Sequence, residues 1–119
     1  MAKRNHALVA VNASGFSDAT GTGGTKTPGG IVIENGKTIH SSDENDSPAL
    51  VAGLTQYGKV ITGSYSAQQL LDKKVVSAAG FIPQLIVDGE KMITEGNGGW
   101  GSGPRTIMAQ KRMAPSYFW

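Results

Sequence analysis

The chain has 119 residues, of which 17% are charged, 17 are glycine and none is cysteine, and its net charge is +2. This length limits it to one domain, and many glycines with few charges favour a β-rich globular chain over a helical bundle or a disordered polymer. Basic residues are scattered, so we expect no nucleic-acid partner. The lack of cysteine excludes a disulfide framework and thiolate chemistry.

Metal ligands and export signals are sparse in this sequence. His6 and His40 stand far apart with no third ligand spaced from them, so we expect no metal and no cofactor. The acidic residues of segment 41–48 lack the spacing of a calcium loop, which favours a solvated turn over a cation site. The apolar run 7–11 is too short for a signal peptide, and no membrane span is expected.

The first predicted element is a strand over residues 7–11, followed at once by polar residues. A strand that is apolar on nearly every residue is typical of burial on both faces. Asn12, Ser14 and Asp18 come after it, and side chains at a strand end are held by rigid scaffold yet face solvent. They are candidates for substrate hydrogen bonds or proton transfer. The alternative stays open that they only bond their own backbone in a turn.

Turn residues place the next strands. Asn35-Gly36 between residues 31–33 and 38–40 predicts a type I′ hairpin, and Asp88-Gly89 predicts a second hairpin over residues 85–93. Between them, two more strands are expected at 49–54 and 60–61 around the turn at Gly58.

One helix is signalled by a capping box. Ser66 followed by Gln69 predicts a helix that begins at Ala67, runs through residue 74 and has Gly80 as a stop. A last strand is expected over residues 106–110. The elements together predict an α+β domain, with a mixed, mostly antiparallel sheet of hairpins and one or two helices on a face.

The glycine-rich stretch 95–106 is the strongest site signal from residue chemistry alone. Trp100 offers a flat face for a sugar ring, and the planar fork of Arg105 matches a phosphate or carboxylate. Five glycines in so short a run imply positive φ angles or a close approach of backbone to ligand. The equally open alternative is a glycine-rich loop whose tryptophan covers the core and whose arginine is a solvated surface charge.

Four blocks of sequence resemble one known family in their order and approximate spacing. They are VNASGFSD at 11–18, TPGGIVI with NGK at 27–37, PQLIVDG at 83–89 and GPRT at 103–106. Over residues 7–110 the chain resembles the phosphodiester glycosidase domain, a family that includes the lysosomal uncovering enzyme and bacterial proteins labelled exopolysaccharide biosynthesis. Each block alone is common, and the signal lies in their order.

The resemblance implies hydrolysis of a sugar-1-phosphodiester at the glycosidic C–O bond, in polysaccharide or cell-envelope metabolism. The substrate would be a phosphorylated sugar or polysaccharide. A phosphate leaving group departs readily, so the site chiefly needs a cation and donors on the phosphate. We expect Arg105 on the phosphate and Asn12 and Asp18 on the sugar side. The substrate-binding residues expected beside them are Ser14, Gly15, Trp100, Gly101, Gly103 and Thr106.

The chain departs from the family pattern after Thr106. The family continues through further strands and Asp-Gly turns, whereas this sequence ends in RMAPSYFW. Codons for residues 111–119 read two nucleotides later can encode a family-like continuation, so we expect a partial domain with a non-native tail at 111–119, and activity is uncertain. A partial domain would expose strand edges and self-associate. Relatives commonly act outside the cytoplasm, but the chain carries no signal peptide, so its location is left open.

Two alternatives to the enzyme stay open. One is a non-catalytic carbohydrate- or anion-binding module that keeps Trp100 and Arg105. The other is a structural domain with no ligand.

Overall fold

The structure is a computed structural model that describes residues 11–16, 21, 27–103 and 106–111. Within these ranges seven strands and one helix alternate with tight turns. Their bounds are β1 Ile31–Glu34, β2 Lys37–Ser41, β3 Ala49–Thr55, β4 Val60–Tyr65, α1 Ala67–Asp72, β5 Val75–Gly80, β6 Ile86–Val87 and β7 Glu90–Lys91.

Both predicted Asx-Gly hairpins form. Asn35 and Gly36 take φ angles of 52° and 70° between β1 and β2, and Asp88 and Gly89 take 49° and 87° between β6 and β7. Two successive residues with positive φ define the turn whose twist matches that of paired strands. The predicted pair around Gly58 also forms, as β3 and β4.

The main sheet has five strands in the order β2-β1-β5-β3-β4, and each recorded pairing in it is antiparallel. The helix α1 carries the chain from the edge strand β4 over one face of the sheet to β5, which enters between β1 and β3. Ile33 pairs with Ala78 on one side of β5, and Val51 pairs with Gly80 on the other. The expected mixed, mostly antiparallel α+β sheet is thus confirmed in its antiparallel character, with a single short helix among the described residues.

One face of this sheet carries the core. Alternate residues of the strands point to the same face, and there they meet the buried side of α1. Leu70 of the helix is fully buried against this face. The buried hydrophobic residues of the cluster are Ile31, Ile33, Val51, Ala67, Leu70, Val75 and Ala78.

The capping box begins the helix as predicted, but the predicted end is wrong. The Gln69 backbone N–H donates to Ser66 Oγ at 3.3 Å, and Gln69 Oε1 accepts from the Ser66 N–H at 3.0 Å. The helix ends at Asp72, and Lys74 then takes a φ of 59°, which turns the chain directly into β5. Gly80 is therefore the end of the central strand and not a helix stop.

The strand predicted over residues 106–110 does not form. The backbone of this segment pairs with none of the described strands. The segment contacts the sheet through the side chain of Gln110 instead. Gln110 Oε1 accepts from the Val60 N–H at 2.8 Å, and Gln110 Nε2 donates to the Gly58 carbonyl at 2.7 Å. Residues 7–10 of the first predicted strand lie outside the described residues.

Candidate functional site

A polar cavity lies at the end of the central strand, where three segments meet. Its volume is about 310 Å³. Residues 12–15, residues 80–82 and Thr106 form its walls, so parts of the chain that are distant in sequence share one site. The lining residues are Asn12, Ala13, Ser14, Gly15, Gly80, Phe81, Ile82 and Thr106.

Four of the expected site residues therefore come together here: Asn12, Ser14, Gly15 and Thr106. Asn12 and Thr106 are both exposed residues of the cavity lining. An amide both donates and accepts hydrogen bonds, as does a hydroxyl, and this combination suits the hydroxyl groups of a sugar.

Backbone and side-chain hydrogen bonds anchor the segment that carries Asn12. The Ser14 N–H donates to the Gly80 carbonyl at 2.8 Å, and Ser14 Oγ donates to the Gly29 carbonyl at 2.6 Å. The Gly29 N–H donates to the Gly15 carbonyl at 2.7 Å, and Phe16 forms an isolated antiparallel bridge with Pro28. The segment is thus fixed both to β5 and to the turn before β1.

Among the residues that the structure describes, the cavity lining contains no ionisable side chain. Arg105 directly precedes Thr106 in sequence, and Asp18 follows Gly15 by three positions. Both Asp18 and Arg105 lie outside the described residues, so their placement relative to Asn12 stays a prediction.

The glycine-rich loop before Thr106 is held by hydrogen bonds within itself. The Gly98 N–H donates to the Glu95 carbonyl at 3.0 Å, and the Gly99 N–H donates to Asn97 Oδ1 at 3.0 Å. Trp100 is 44% exposed. A Cβ on Gly98 would lie 3.1 Å from Trp100 Cδ1, so glycine there permits the close packing of the indole.

Trp100, Gly101 and Gly103 therefore do not line the polar cavity, although they precede Thr106 closely in sequence. Trp100 is also absent from the buried core cluster. Its role in binding stays a prediction.

An apolar groove adjoins the polar cavity on the sheet face opposite α1. Its volume is about 340 Å³, and Ala13 and Phe81 line both spaces. Leu54, Val60 and Met108 supply further apolar walls. The candidate site thus consists of a polar cavity with an apolar groove beside it.

The acidic loop 41–48 provides hydrogen-bond acceptors for the first turn of the helix. Asp46 Oδ1 accepts from the Ala67 N–H at 2.6 Å and Asp46 Oδ2 from the Gln68 N–H at 3.2 Å. A hydrogen bond from the Ser66 side chain, together with these backbone N–H groups, lowers the pKa of Asp46 despite the opposing effect of desolvation. A side-chain hydrogen bond from Ser47 likewise lowers the pKa of Asp43. Carboxylates near a helix N-terminus are stabilised by its unpaired N–H groups.

The described part of the chain holds no group of three His, Asp or Glu side chains that would bind a metal ion. Nε2 of His40 is buried without a hydrogen-bond partner in that same part. The single helix found there is too short to span a bilayer.

Sequence reasoning missed Gly80, Phe81 and Ile82 as cavity residues. It missed them because it treated Gly80 as the stop of the helix predicted over residues 67–74. Val75-Val76 carried the contrary signal, since two adjacent β-branched residues followed by small ones favour a buried strand.

The fold and the cavity define a small antiparallel α+β domain with a polar cavity at the end of its central strand. In a comparison with protein families, the family described as phosphodiester glycosidase matches residues 5–117. The chain belongs to the phosphodiester glycosidase family, which confirms the resemblance seen in the sequence. Comparisons with curated proteins and with solved structures gave no match.

Proposed function

We propose that this protein hydrolyses a sugar-1-phosphodiester at the glycosidic C–O bond and acts in polysaccharide or cell-envelope metabolism. The observation that carries the proposal is the convergence of Asn12, Gly15 and Thr106 on one polar cavity, in a chain that belongs to the phosphodiester glycosidase family. The proposed substrate is a phosphorylated sugar or polysaccharide.

In the proposed reaction, water attacks the anomeric carbon and its oxygen forms the new C–O bond. The bond from that carbon to the phosphate oxygen breaks, and the phosphomonoester leaves with the electron pair. One proton of the water goes to a base, for which Asp18 is the proposed carboxylate. Because the leaving group is already a stable anion, the reaction depends more on charge stabilisation than on a strong general acid.

The proposed roles follow the chemistry of each side chain. Arg105 holds the phosphate with its planar fork of donors, and the hydroxyl of the adjacent Thr106 adds a further donor. Asn12 bonds hydroxyl groups of the sugar. Gly15 and the backbone amides of Gly101 and Gly103 are proposed to contact the substrate, with Trp100 stacking on a sugar ring.

Hydrolysis in water enriched in oxygen-18 tests the bond that is cleaved. The probes are the methyl phosphodiesters of N-acetylglucosamine-1-phosphate and glucose-1-phosphate, with products analysed by mass spectrometry. Cleavage at C–O puts the label in the sugar, whereas cleavage at P–O puts it in the phosphate. Label in the phosphate would refute the glycosidase chemistry.

Variants of the proposed phosphate ligand test the site. Arg105→Ala should lower kcat/KM about 100-fold or more, because one donor to a developing negative charge is typically worth that much. Arg105→Lys should recover part of this loss, since lysine keeps the charge but not the fork. Lys111→Ala removes an exposed cation nearby in sequence and serves as the matched control.

The same assay separates the alternatives. Binding of the probes without turnover, unaffected by Asp18→Asn, would replace the hydrolase with a binding module. If Trp100→Ala and Arg105→Ala changed only stability and no probe bound to the parent protein, the structural domain would be the better description.

A further inference from the structure

The geometry points to Ser14 as a positioning residue that holds the Asn12 segment in place, in one unit with Gly29 and Gly80. This inference deepens the proposed function, because it assigns to the same cavity a support that fixes its polar wall. The three residues belong to three different segments, and they meet at the cavity wall, which Ser14 and Gly80 help to line.

Ser14 has an unusual backbone conformation for its residue type. Its φ is 66°, in the left-handed region that serine seldom occupies. Such a conformation persists only where surrounding contacts hold it, and such residues cluster at functional sites. Here the holding contacts are the bond from the Ser14 N–H to the Gly80 carbonyl and the bond from Ser14 Oγ to the Gly29 carbonyl.

The hydroxyl of Ser14 is already in use. A serine hydroxyl has one hydrogen to donate, and at 2.6 Å that hydrogen bond goes to the Gly29 carbonyl. Ser14 therefore has no second hydrogen for a substrate oxygen while this bond is intact. The side chain acts on the cavity through the backbone that it anchors.

The two glycines make this arrangement possible by leaving space. A Cβ built on Gly80 would lie 3.1 Å from the Gly29 carbonyl oxygen and 3.3 Å from Ser14 Oγ. A Cβ on Gly29 would lie 3.4 Å from the Gly15 carbonyl oxygen. Gly80 does not have a left-handed φ, so alanine at this position tests the close approach alone and not backbone strain.

Asn12 stands two residues before Ser14, so a shift of the anchor moves its amide. Displacing a reacting or orienting group by about 1 Å costs up to roughly 100-fold in rate. Loss of the anchor should therefore reduce kcat more strongly than it raises KM. A direct contact of Ser14 with bound substrate would have the opposite pattern, with KM raised and kcat little changed.

The experiment compares Ser14→Ala, Gly80→Ala and the double variant in the phosphodiester assay. Each single variant should lower kcat about 10- to 100-fold with KM changed by less than about threefold. The double variant should lose no more activity than the less active of the two single variants, since both changes disrupt the same unit. Losses that multiply, or a rise in KM at constant kcat, would overturn the positioning role.

Ser42→Ala is the matched control. Ser42 Oγ accepts from the Gly30 N–H at 3.1 Å, so this change removes a serine hydroxyl bonded to the same turn but not to the Asn12 segment. It should leave kcat within about twofold of the parent protein.

Amide hydrogen exchange gives a readout that does not depend on activity. The N–H groups of Ser14 and Gly29 donate across the unit, so Ser14→Ala should speed exchange at Gly29 about tenfold or more while leaving the β3 amides unchanged. Unchanged exchange at Gly29 would overturn the inference. If the parent protein turned over none of the probes, the proposed function would fail and this exchange result alone would decide the role of Ser14.

Discussion

The two faces of the five-stranded sheet are built for different purposes. On one face, α1 seals a core in which Leu70, Val51 and Val75 are almost fully buried. On the other face, Leu50 and Leu54 remain 43% and 40% exposed beside an apolar groove of about 340 Å³. The sealed face supplies stability by burying apolar surface, and the open face leaves room beside the polar cavity.

The difference shows how one small sheet separates stability from site building. Residues that alternate along β3 serve opposite faces, so neighbours in sequence have different neighbours in space. Substitutions in one strand can therefore distinguish the two faces.

The largest effect is expected on the sealed face. Leu70→Ala should lower the free energy of unfolding by about 2–5 kcal/mol, because it leaves a cavity in a fully buried site. Leu54→Ala on the open face should cost about 1 kcal/mol or less, since much of that side chain is already in contact with solvent. Urea unfolding followed by circular dichroism measures both. Equal losses would show that the open face is also sealed in solution.

A smaller effect is expected where the segment 106–111 is tied to the sheet. Gln110→Ala removes the bonds to the Val60 N–H and to the Gly58 carbonyl, and should cost about 1 kcal/mol. Gln110→Glu keeps an acceptor for Val60 but places a carboxylate oxygen against the Gly58 carbonyl, so it should not recover the stability lost with alanine. Urea unfolding gives these values.

The control for Gln110 is its exposed neighbour Lys111, whose change to alanine should alter stability by no more than about 0.5 kcal/mol. Faster amide exchange at Val60 in Gln110→Ala would locate the loss at this contact. No change there would show that the side chain does not hold the segment in solution.

The smallest effect concerns pH at the sealed face. The pKa of Asp46 lies below its ordinary value of 3.8, so the carboxylate stabilises the fold at pH above that value and loses this contribution as the pH falls through the lowered pKa. Asp46→Asn should therefore be less stable than the parent protein near pH 6, with the gap narrowing towards pH 3. Thermal unfolding at several pH values measures the gap.

Glu44→Gln, in the same loop, is the control for the charge change alone. A gap for Asp46→Asn that stays constant from pH 6 to pH 3 would contradict the role of the ionised carboxylate at the helix start.

The sequence predicted the elements that local chemistry specifies. Asn35-Gly36 and Asp88-Gly89 predict the two hairpin turns, and Ser66 with Gln69 predicts the start of the helix. Each of these signals acts within a few residues of the chain. The helix end could not be read in this way. The chain turns away after the helix because Lys74 has a positive φ, and lysine rarely adopts that conformation, so the sequence gives no sign of it.

The sequence singled out polar residues of the cavity but not its other walls, and their part in a substrate site stays a prediction. Asn12, Ser14 and Thr106 attracted attention as polar groups beside strands or glycines, and they line one cavity. Gly80 and Phe81 join them only because β5 enters the middle of the sheet, a long-range pairing that no local pattern specifies. The bond from Ser14 to Gly29 is equally non-local.

The late position of β5 in the chain has a consequence for folding. The β1–β2 and β3–β4 hairpins are each made of contacts close in sequence, so closing each of them costs little loop entropy. The two hairpins belong to one sheet only through β5, which pairs with β1 on one side and with β3 on the other. The end of that strand also supplies the carbonyl that anchors Ser14, so the polar cavity depends on the same strand that joins the two hairpins.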